Sequence, residues 1–263
     1  GQYDKRFYQY ALQLYDRVQK KVPSLVLLLA KSMGQHSDDP AGIKQALNLC
    51  LTADKNNVPR AESVSVAIQI LRRHPDKWGS DLAAVIPTVE RWLDECISQA
   101  PDDLGLKWQV AFYYDLIGNL DRVEKEYQDL MDWPGVYPID RGVLLNNLAY
   151  AMALNGKGEK SLELIKEAEQ LLGPTANIVD TRGFIHLSRG EFGEAVSNFQ
   201  KAIANSTKIG PILFHLALAF DKQGDSTGAA KAWKEAGQSG LNKTMVHPAL
   251  HADFEGLTVK YGE

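Results

Sequence analysis

Cysteine is scarce in this sequence, which has only Cys50 and Cys96 among its 263 residues. Two thiols in a chain of this length do not indicate a disulfide framework. Each lies within an apolar helical pattern, and neither has the cationic or helix-end setting that makes a thiol reactive. We therefore interpret both as small core residues. They leave the cellular compartment open, with a cytoplasmic location as the preferred interpretation.

Long hydrophobic runs are also missing. The longest, VPSLVLLLA at 22–30, is bordered by lysines and is far too short to cross a hydrocarbon layer of about 30 Å. We expect a buried helix there and no direct membrane insertion. The sequence opens with Gly1 and carries no charged, apolar, small-residue leader, so we expect it to be part of a longer chain from which a targeting segment could be missing.

An excess of positive charge is absent as well. The sequence has 29 lysines and arginines against 33 aspartates and glutamates, which gives a net charge of −4. No stretch combines clustered basic residues with stacking aromatics, as proteins that bind single strands do. This composition argues against a nucleic-acid partner, while 44% hydrophobic and 24% charged residues are typical of a folded protein.

Catalytic motifs are absent too: there is no glycine-rich phosphate loop, zinc-finger cysteine pairing, nucleophile elbow or HExxH stretch. We predict that the chain is not an enzyme and needs no cofactor. The nearest ligand set is His247, His251 and Asp253, because two histidines four apart on one helical face could share a metal ion. The alternative is a capping helix begun by Pro248, with both imidazoles at the surface.

Three other histidines are interpreted as structural. His186 and His215 fall in predicted helices, and no acid or nucleophile stands in register with either to make a catalytic pair. His74 precedes a proline and is predicted to end a helix.

What the sequence does contain is a period of 34 residues. A small residue recurs at Ala149, Gly183 and Ala217, and a glycine follows seven positions after each of them. Three further series keep the same phase: Ser161, Ala195 and Ala229; Ile165, Phe199 and Trp233; Ala168, Ala202 and Ala236.

This period predicts pairs of antiparallel helices. The glycine allows the positive φ that ends a helix cheaply, and the small residues let the two helix backbones approach closely. One hairpin cannot bury its own apolar face, so such units must stack into an array with a continuous core.

The segments that carry this pattern, LNNLAYAMALNGKGEKSLELIKEAEQLLGP, VDTRGFIHLSRGEFGEAVSNFQKAI and LFHLALAFDKQGDSTGAAKAWKEA, resemble tetratricopeptide repeats (TPRs). They are especially similar to C-terminal repeats of long bacterial proteins of that family. The resemblance implies an all-α fold, a right-handed superhelical α-solenoid of antiparallel helix hairpins.

The repeats extend backward and end before the C-terminus. Ala111, Gly118 and Tyr127 continue the pattern, which predicts four repeats at about 104–137, 142–175, 176–209 and 210–237. Residues 1–103 are expected to form degenerate hairpins, with the opening stretch an unpaired second helix, and residues 238–263 a C-terminal capping helix. Arg182 replaces a usual apolar residue, which weakens packing locally unless its stem lies along the helix pair with its head in water.

The resemblance also implies where a ligand would bind. In this family the first helices of the hairpins line a concave groove, and a peptide-binding groove is predicted from the matching positions, Trp108, Phe112, Asn146, Tyr150, Asn177, Asp180, Phe184, Phe214 and Leu218. Alternatively, some of these rings pack against neighbouring helices. Acidic Asp115, Asp180 and Asp221 would favour basic or neutral ligands, and the positive charge that grips a free carboxylate is missing.

The resulting prediction is a non-enzymatic protein–protein interaction module, a scaffold or adaptor that binds a peptide or partner protein on the concave face. Two alternatives remain open: a regulatory domain that senses a short peptide by closing around it, and a metal-binding or hydrolase protein that uses His247 and His251.

Overall fold

The computed structural model describes residues 13, 25–37, 39–53, 58–74, 86–133, 137–207 and 209–262. Within these ranges the secondary structure is entirely helical, as the period predicts. The predicted opening helix lies outside them except for Gln13. The α-helices are α1 (Leu25–His36), α2 (Pro40–Ala53), α3 (Arg60–Arg73), α4 (Ile86–Gln99), α5 (Leu104–Leu116), α6 (Leu120–Met131), α7 (Pro138–Leu154), α8 (Gly158–Leu172), α9 (Ala176–Ser188), α10 (Phe192–Ala204), α11 (Gly210–Gln223), α12 (Ser226–Gln238) and α13 (His251–Tyr261).

Two short 3-10 helices, Lys243–Met245 and Pro248–Leu250, lie between α12 and α13. The chain divides into two compact units, Gly1–Tyr113 and Tyr114–Glu263. Among the helices of the described ranges, none combines the length and the apolar character required to cross a membrane.

In the first unit, α1 packs against α2 and α3, and α3 against α4. The helices α1 and α3 approach closely, since a Cβ atom on Gly34 would lie 2.5 Å from Cγ1 of Ile70. His74 follows the end of α3, as predicted, and its Nε2 donates to the carbonyl of Gly34 over 2.6 Å. Cys50 and Cys96 are buried and unpaired, and burial raises the pKa of the Cys50 thiol to about 12.

The second unit is a succession of hairpins in which α7 pairs with α8, α9 with α10 and α11 with α12. We call α5, α7, α9 and α11 the first helices and their partners the second helices. The glycines predicted to end the first helices, Gly118, Gly156, Gly190 and Gly224, all have positive φ, between 71° and 87°. The small residues of the period lie in the core, where Ala149, Ala195, Ala202 and Ala217 are fully buried.

Arg182 is held more firmly than the sequence suggested. Its Nε donates to Oδ1 of Asn198 over 2.8 Å, and its Nη1 donates to Oε2 of Glu169 over 2.6 Å. The guanidinium head therefore ties α9 to both neighbouring second helices instead of lying free in water.

The turn between α9 and α10 carries a charged cluster. Glu191 accepts hydrogen bonds from Nε of Arg189 over 2.9 Å and meets Nδ1 of His186 over 2.6 Å. The bonds from Arg189, and then from His186, lower the pKa of Glu191 from 4.5 to about 2.

This shift makes a prediction for acid stability. Because the folded-state pKa of Glu191 is depressed, its stabilisation is present above its ordinary pKa of 4.5 and is lost as pH falls through about 2. At pH 6 the melting temperature of Glu191→Gln should be lower than that of the unmodified protein, and the difference between the two should shrink towards pH 2. The control is Glu194→Gln, at an exposed position in the first turn of α10; an equal pH trend in both variants would contradict this assignment.

Candidate functional site

A cavity of about 260 Å³ opens in the second unit on the face formed by its first helices, which we call the first-helix face. Three successive hairpins supply its walls through positions that the period relates: Asn146, Asp180 and Phe214 are spaced by 34 residues, and so are Asn147, Thr181 and His215. Residues at equivalent positions of stacked hairpins necessarily share one face. The 34-residue spacing therefore brings these side chains together at one cavity.

A partly buried series of hydrogen bonds runs along one wall. The Nδ1 atom of His215 lies 3.0 Å from Oδ1 of Asp180, and its Nε2 lies 3.4 Å from the hydroxyl of Tyr150. Nδ1–H donates to the carboxylate, and Nε2 accepts from the tyrosine hydroxyl. His215 is only 6% exposed and lies among the rings of Phe184, Phe199 and Phe214.

The hydrogen bonds between Asp180, His215 and Tyr150 orient these three side chains and do not activate a nucleophile. Burial, followed by the charges of Asp180 and Asp115, raises the pKa of Tyr150 well above its ordinary value. The phenol therefore stays protonated at neutral pH and serves as a hydrogen-bond donor.

The expectation that no acid stands in register with these histidines was wrong. Asp180 precedes His215 by 35 residues, which is one repeat plus one position, and so lies on the adjacent first helix. His186 meets Glu191 of its own hairpin turn. The repeat spacing contained the signal for the first pair, because residues one period apart are neighbours across the stack.

The C-terminal residues 242–250, which we call the strap, lie on the first-helix face. The His247 side chain is 9% exposed; its Nε2 lies 3.6 Å from Oδ1 of Asp115, and its ring meets Tyr150 edge-on with centroids 6.0 Å apart. Pro248 lies against the turn after α5, where a Cβ on Gly118 would be 3.2 Å from the proline Cβ. Met245, Val246 and His247 line the cavity.

The strap overturns the interpretation of His247 and His251 as residues of one helical face. Of the alternative, the helical start at Pro248 is confirmed, but both imidazoles are only partly exposed. The α-helix begins only at His251, and a 3-10 turn separates the two residues, so they do not share a helical face. Nδ1 of His247 accepts from the backbone N–H of Ala249 over 3.1 Å, while Nε2 of His251 lies 3.1 Å from the carbonyl of Val246. The described residues contain no group of three or more side chains suited to a metal ion.

The predicted groove residues fall into three sets. Asn146, Tyr150, Asn177 and Asp180 line the cavity, with Phe214 behind them. Phe184, Phe214 and Leu218 are only 4%, 0% and 4% exposed, so they lie in the core, and for the two rings this is the alternative of packing against neighbouring helices. Phe184 lies under Tyr150, with centroids 4.9 Å apart, and Phe214 packs against Phe254 of α13.

Trp108 and Phe112 form the third set and belong to the first unit. They line a separate cavity of about 320 Å³ together with Ile68 and Arg72 of α3. The Arg72 guanidinium lies 4.7 Å from the centre of the Phe112 ring, a cation–π contact that already occupies one face of that ring.

The C-terminal helix α13 closes the last hairpin. Phe254 packs against Trp233 of α12 with centroids 5.1 Å apart, which covers the ring that a further hairpin would otherwise bury. Asp221 bonds to Nζ of Lys260 over 3.1 Å and to the hydroxyl of Tyr261 over 2.7 Å. Although burial opposes the shift, these two bonds lower the pKa of Asp221. The carboxylate is thus committed to α13 rather than to a ligand.

Comparison with known proteins places the fold. No family model and no curated protein matches the sequence significantly. A thermophilic TPR protein from Thermus thermophilus is 17% identical with a TM-score of 0.50, over 73% of this chain and 97% of that one. Also similar are BtubC from P. vanneervenii, 17% identical with a TM-score of 0.48 over 85% and 90% of the chains, and MamA from Desulfovibrio magneticus RS-1, 12% identical with a TM-score of 0.48 over 68% and 94%.

The chain has a TPR-like fold, an all-α helical-repeat solenoid, which confirms the fold predicted from the 34-residue period. At these identities the likeness concerns the fold.

Proposed function

We propose that the second unit is a non-enzymatic protein-interaction module that binds a peptide segment of a partner on the first-helix face, at the cavity beside the strap. The observation that carries this proposal is the convergence of polar side chains from successive hairpins in one cavity. Hydrogen-bonding groups that face a recess between apolar residues are typical of ligand sites.

The polar groups of the cavity suit an extended segment. Asn146, Asn147 and Asn177 each offer an amide donor and acceptor, and a peptide backbone presents the complementary groups along its length. Oδ1 of Asn146 is buried without a hydrogen-bond partner. A ligand that supplies a donor there removes the cost of leaving a buried acceptor unpaired.

Two side chains of the described residues that could serve as nucleophiles are not activated. Tyr150 remains protonated next to His215, and the thiol of Cys50 is buried with a raised pKa. Neither group can attack a substrate at neutral pH.

A peptide-sensing domain is the second candidate, and the position of the strap favours it. Met245, Val246 and His247 wall the cavity, so a ligand bound there contacts the strap directly. Binding can then change the population of the strap's conformations, provided that the ligand distinguishes between them. Hydrogen exchange of residues 242–250 with and without a bound peptide tests this; unchanged exchange would leave only the scaffold function.

The test of the main proposal uses peptide display on the full chain, followed by calorimetric titration of the selected peptides. Asn177→Arg places a long side chain at the exposed rim of the cavity, so it should weaken binding by about tenfold or more. Ser197→Arg adds the same group at an exposed position of the second helix α10 and should leave affinity unchanged. Equal affinities for both variants, or no enrichment of peptides, would argue against binding on this face.

A further inference from the structure

We propose that the cavity beside the strap binds a cationic side chain, the guanidinium or ammonium group of an arginine or lysine in the partner segment, with Asp180 as its counter-ion. This inference rests on the proposed function and specifies the chemistry of its anchor residue. Three features of the cavity carry it: its charge, its unpaired acceptor and its aromatic wall.

Within the described part of the site, the carboxylate of Asp180 faces an imidazole and no lysine or arginine. In its neutral form, the imidazole of His215 can make both bonds, because Nδ1–H donates to the carboxylate of Asp180 and Nε2 accepts from the Tyr150 hydroxyl. The second carboxylate oxygen of Asp180 has no hydrogen bond within the described part of the chain. No lysine or arginine of that part lines the cavity. The Asp180 side chain is 18% exposed, so its field is poorly screened by water.

A second carboxylate strengthens this potential. Asp115 lies beyond the ring of His247, with Oδ1 3.6 Å from Nε2. Nδ1 of His247 accepts the Ala249 N–H, so the neutral ring carries its proton on Nε2, which is buried without a hydrogen bond 3.6 Å from Oδ1 of Asp115. The cavity wall therefore presents the carboxylate of Asp180, and that of Asp115 lies behind His247, while neither a lysine nor an arginine of the described residues lines the cavity.

The unpaired acceptor adds direction to this charge. Asn146 donates from Nδ2 to Oδ1 of Asn147 over 3.3 Å, so the atom of the Asn146 amide that still lacks a partner is the acceptor Oδ1. That oxygen is buried and has no hydrogen bond. A guanidinium offers five N–H donors in one plane, so it can bond Asp180 and an amide oxygen together, which a single neutral donor cannot do.

The aromatic wall suits the same ligand. Tyr150 lines the cavity and is partly exposed, and cations are attracted to the faces of aromatic rings. An anionic group would instead face Asp180 across the cavity. The alternatives to a cation are thus a neutral amide or an empty site, and the probes below separate them.

The test is a titration of the intact chain with N-acetyl-arginine amide and, as its neutral counterpart of nearly the same shape, N-acetyl-citrulline amide. Chemical shifts of the asparagine side-chain amides report occupancy of the cavity. We expect the arginine probe to bind at least about tenfold more tightly than the citrulline probe, the effect of one charge-assisted hydrogen bond. Equal affinities, or shifts outside the cavity only, overturn the proposal.

Two variants locate the effect. Asp180→Asn should abolish the preference for arginine while keeping an acceptor for His215, and Asn146→Leu should weaken arginine binding without touching that pair. The matched control is Glu163→Gln, which removes the same charge from the exposed side of α8. Circular dichroism melts verify folding. An unchanged preference in Asp180→Asn, or its loss in Glu163→Gln, contradicts the assignment.

Failure of this inference is distinguishable from failure of the proposed function. If displayed peptides bind the first-helix face and lose affinity in Asn177→Arg, but the arginine probe does not bind, only the cationic anchor is wrong. If neither peptides nor probe bind, both are wrong.

Discussion

Replacing Leu257 by alanine should lower the free energy of unfolding of the second unit by about 2–4 kcal/mol. Leu257 is 2% exposed and is the one residue of α13 that lies fully within the core of the last hairpins. Truncation removes its buried methyl groups and leaves a cavity where α13 packs against α11 and α12. Urea denaturation followed by circular dichroism measures the loss, and hydrogen exchange should increase in α11, whose Phe214 is covered by α13.

The matched control lies two residues further along the same helix. Val259 is 87% exposed, so Val259→Ala should change stability by no more than about 0.5 kcal/mol. If Leu257→Ala and Val259→Ala have the same effect, α13 does not pack as described. A loss at Leu257 without faster exchange in α11 would mean that α13 stabilises itself rather than the repeat.

Replacing Gly183 by alanine should lower the free energy of unfolding by about 1–3 kcal/mol. A Cβ atom at this position would lie 2.7 Å from Cε1 of Phe199 and 3.2 Å from Cβ of Asn198. Both neighbours are buried, so neither can move without disturbing the contact between α9 and α10. This overpacking should exceed the gain of about 1 kcal/mol that alanine brings to a helix interior. Chemical denaturation measures the difference.

Two further variants test that mechanism. Gly193 lies in α10, and a Cβ atom added there would have no neighbour within 4 Å, so Gly193→Ala should stabilise the protein by up to about 1 kcal/mol. Phe199→Leu removes the ring edge that meets the new methyl group, so the double variant Gly183→Ala with Phe199→Leu should lose less than the sum of the single losses. Additive losses would show that the two side chains do not meet.

The hairpins could be read from the sequence because their determinants are local and repeated. A glycine after each first helix ends it with a positive φ, and each small residue marks a close approach, so Gly156 or Gly183 is informative without its neighbours. Repetition at a fixed spacing then indicated which helices stack. Much of the cavity follows from the same rule, because Asn146, Asp180 and Phe214 occupy equivalent positions.

The remaining features of the site, namely the position of the strap and the burial of Phe214, depend on the C-terminal segment, which does not repeat. The strap has no partner position elsewhere in the chain, so no spacing could place His247 beside Asp115 and Tyr150. The same holds for Phe254, which buries Phe214 and Trp233 at the end of the array. Sequence reasoning therefore left Phe214 and Leu218 open to a ligand, although both lie in the core.

By itself, the sequence determined the helical hairpins, their turns and their stacking order, because these follow from backbone preferences and from contacts at a constant separation along the chain. Only the tertiary structure decided which part of the first-helix face stays accessible and which carboxylates already have a partner within the chain. Those outcomes depend on contacts with residues outside the repeat, such as Asp115 with His247 and Phe214 with Phe254, and a periodic pattern contains no information about them.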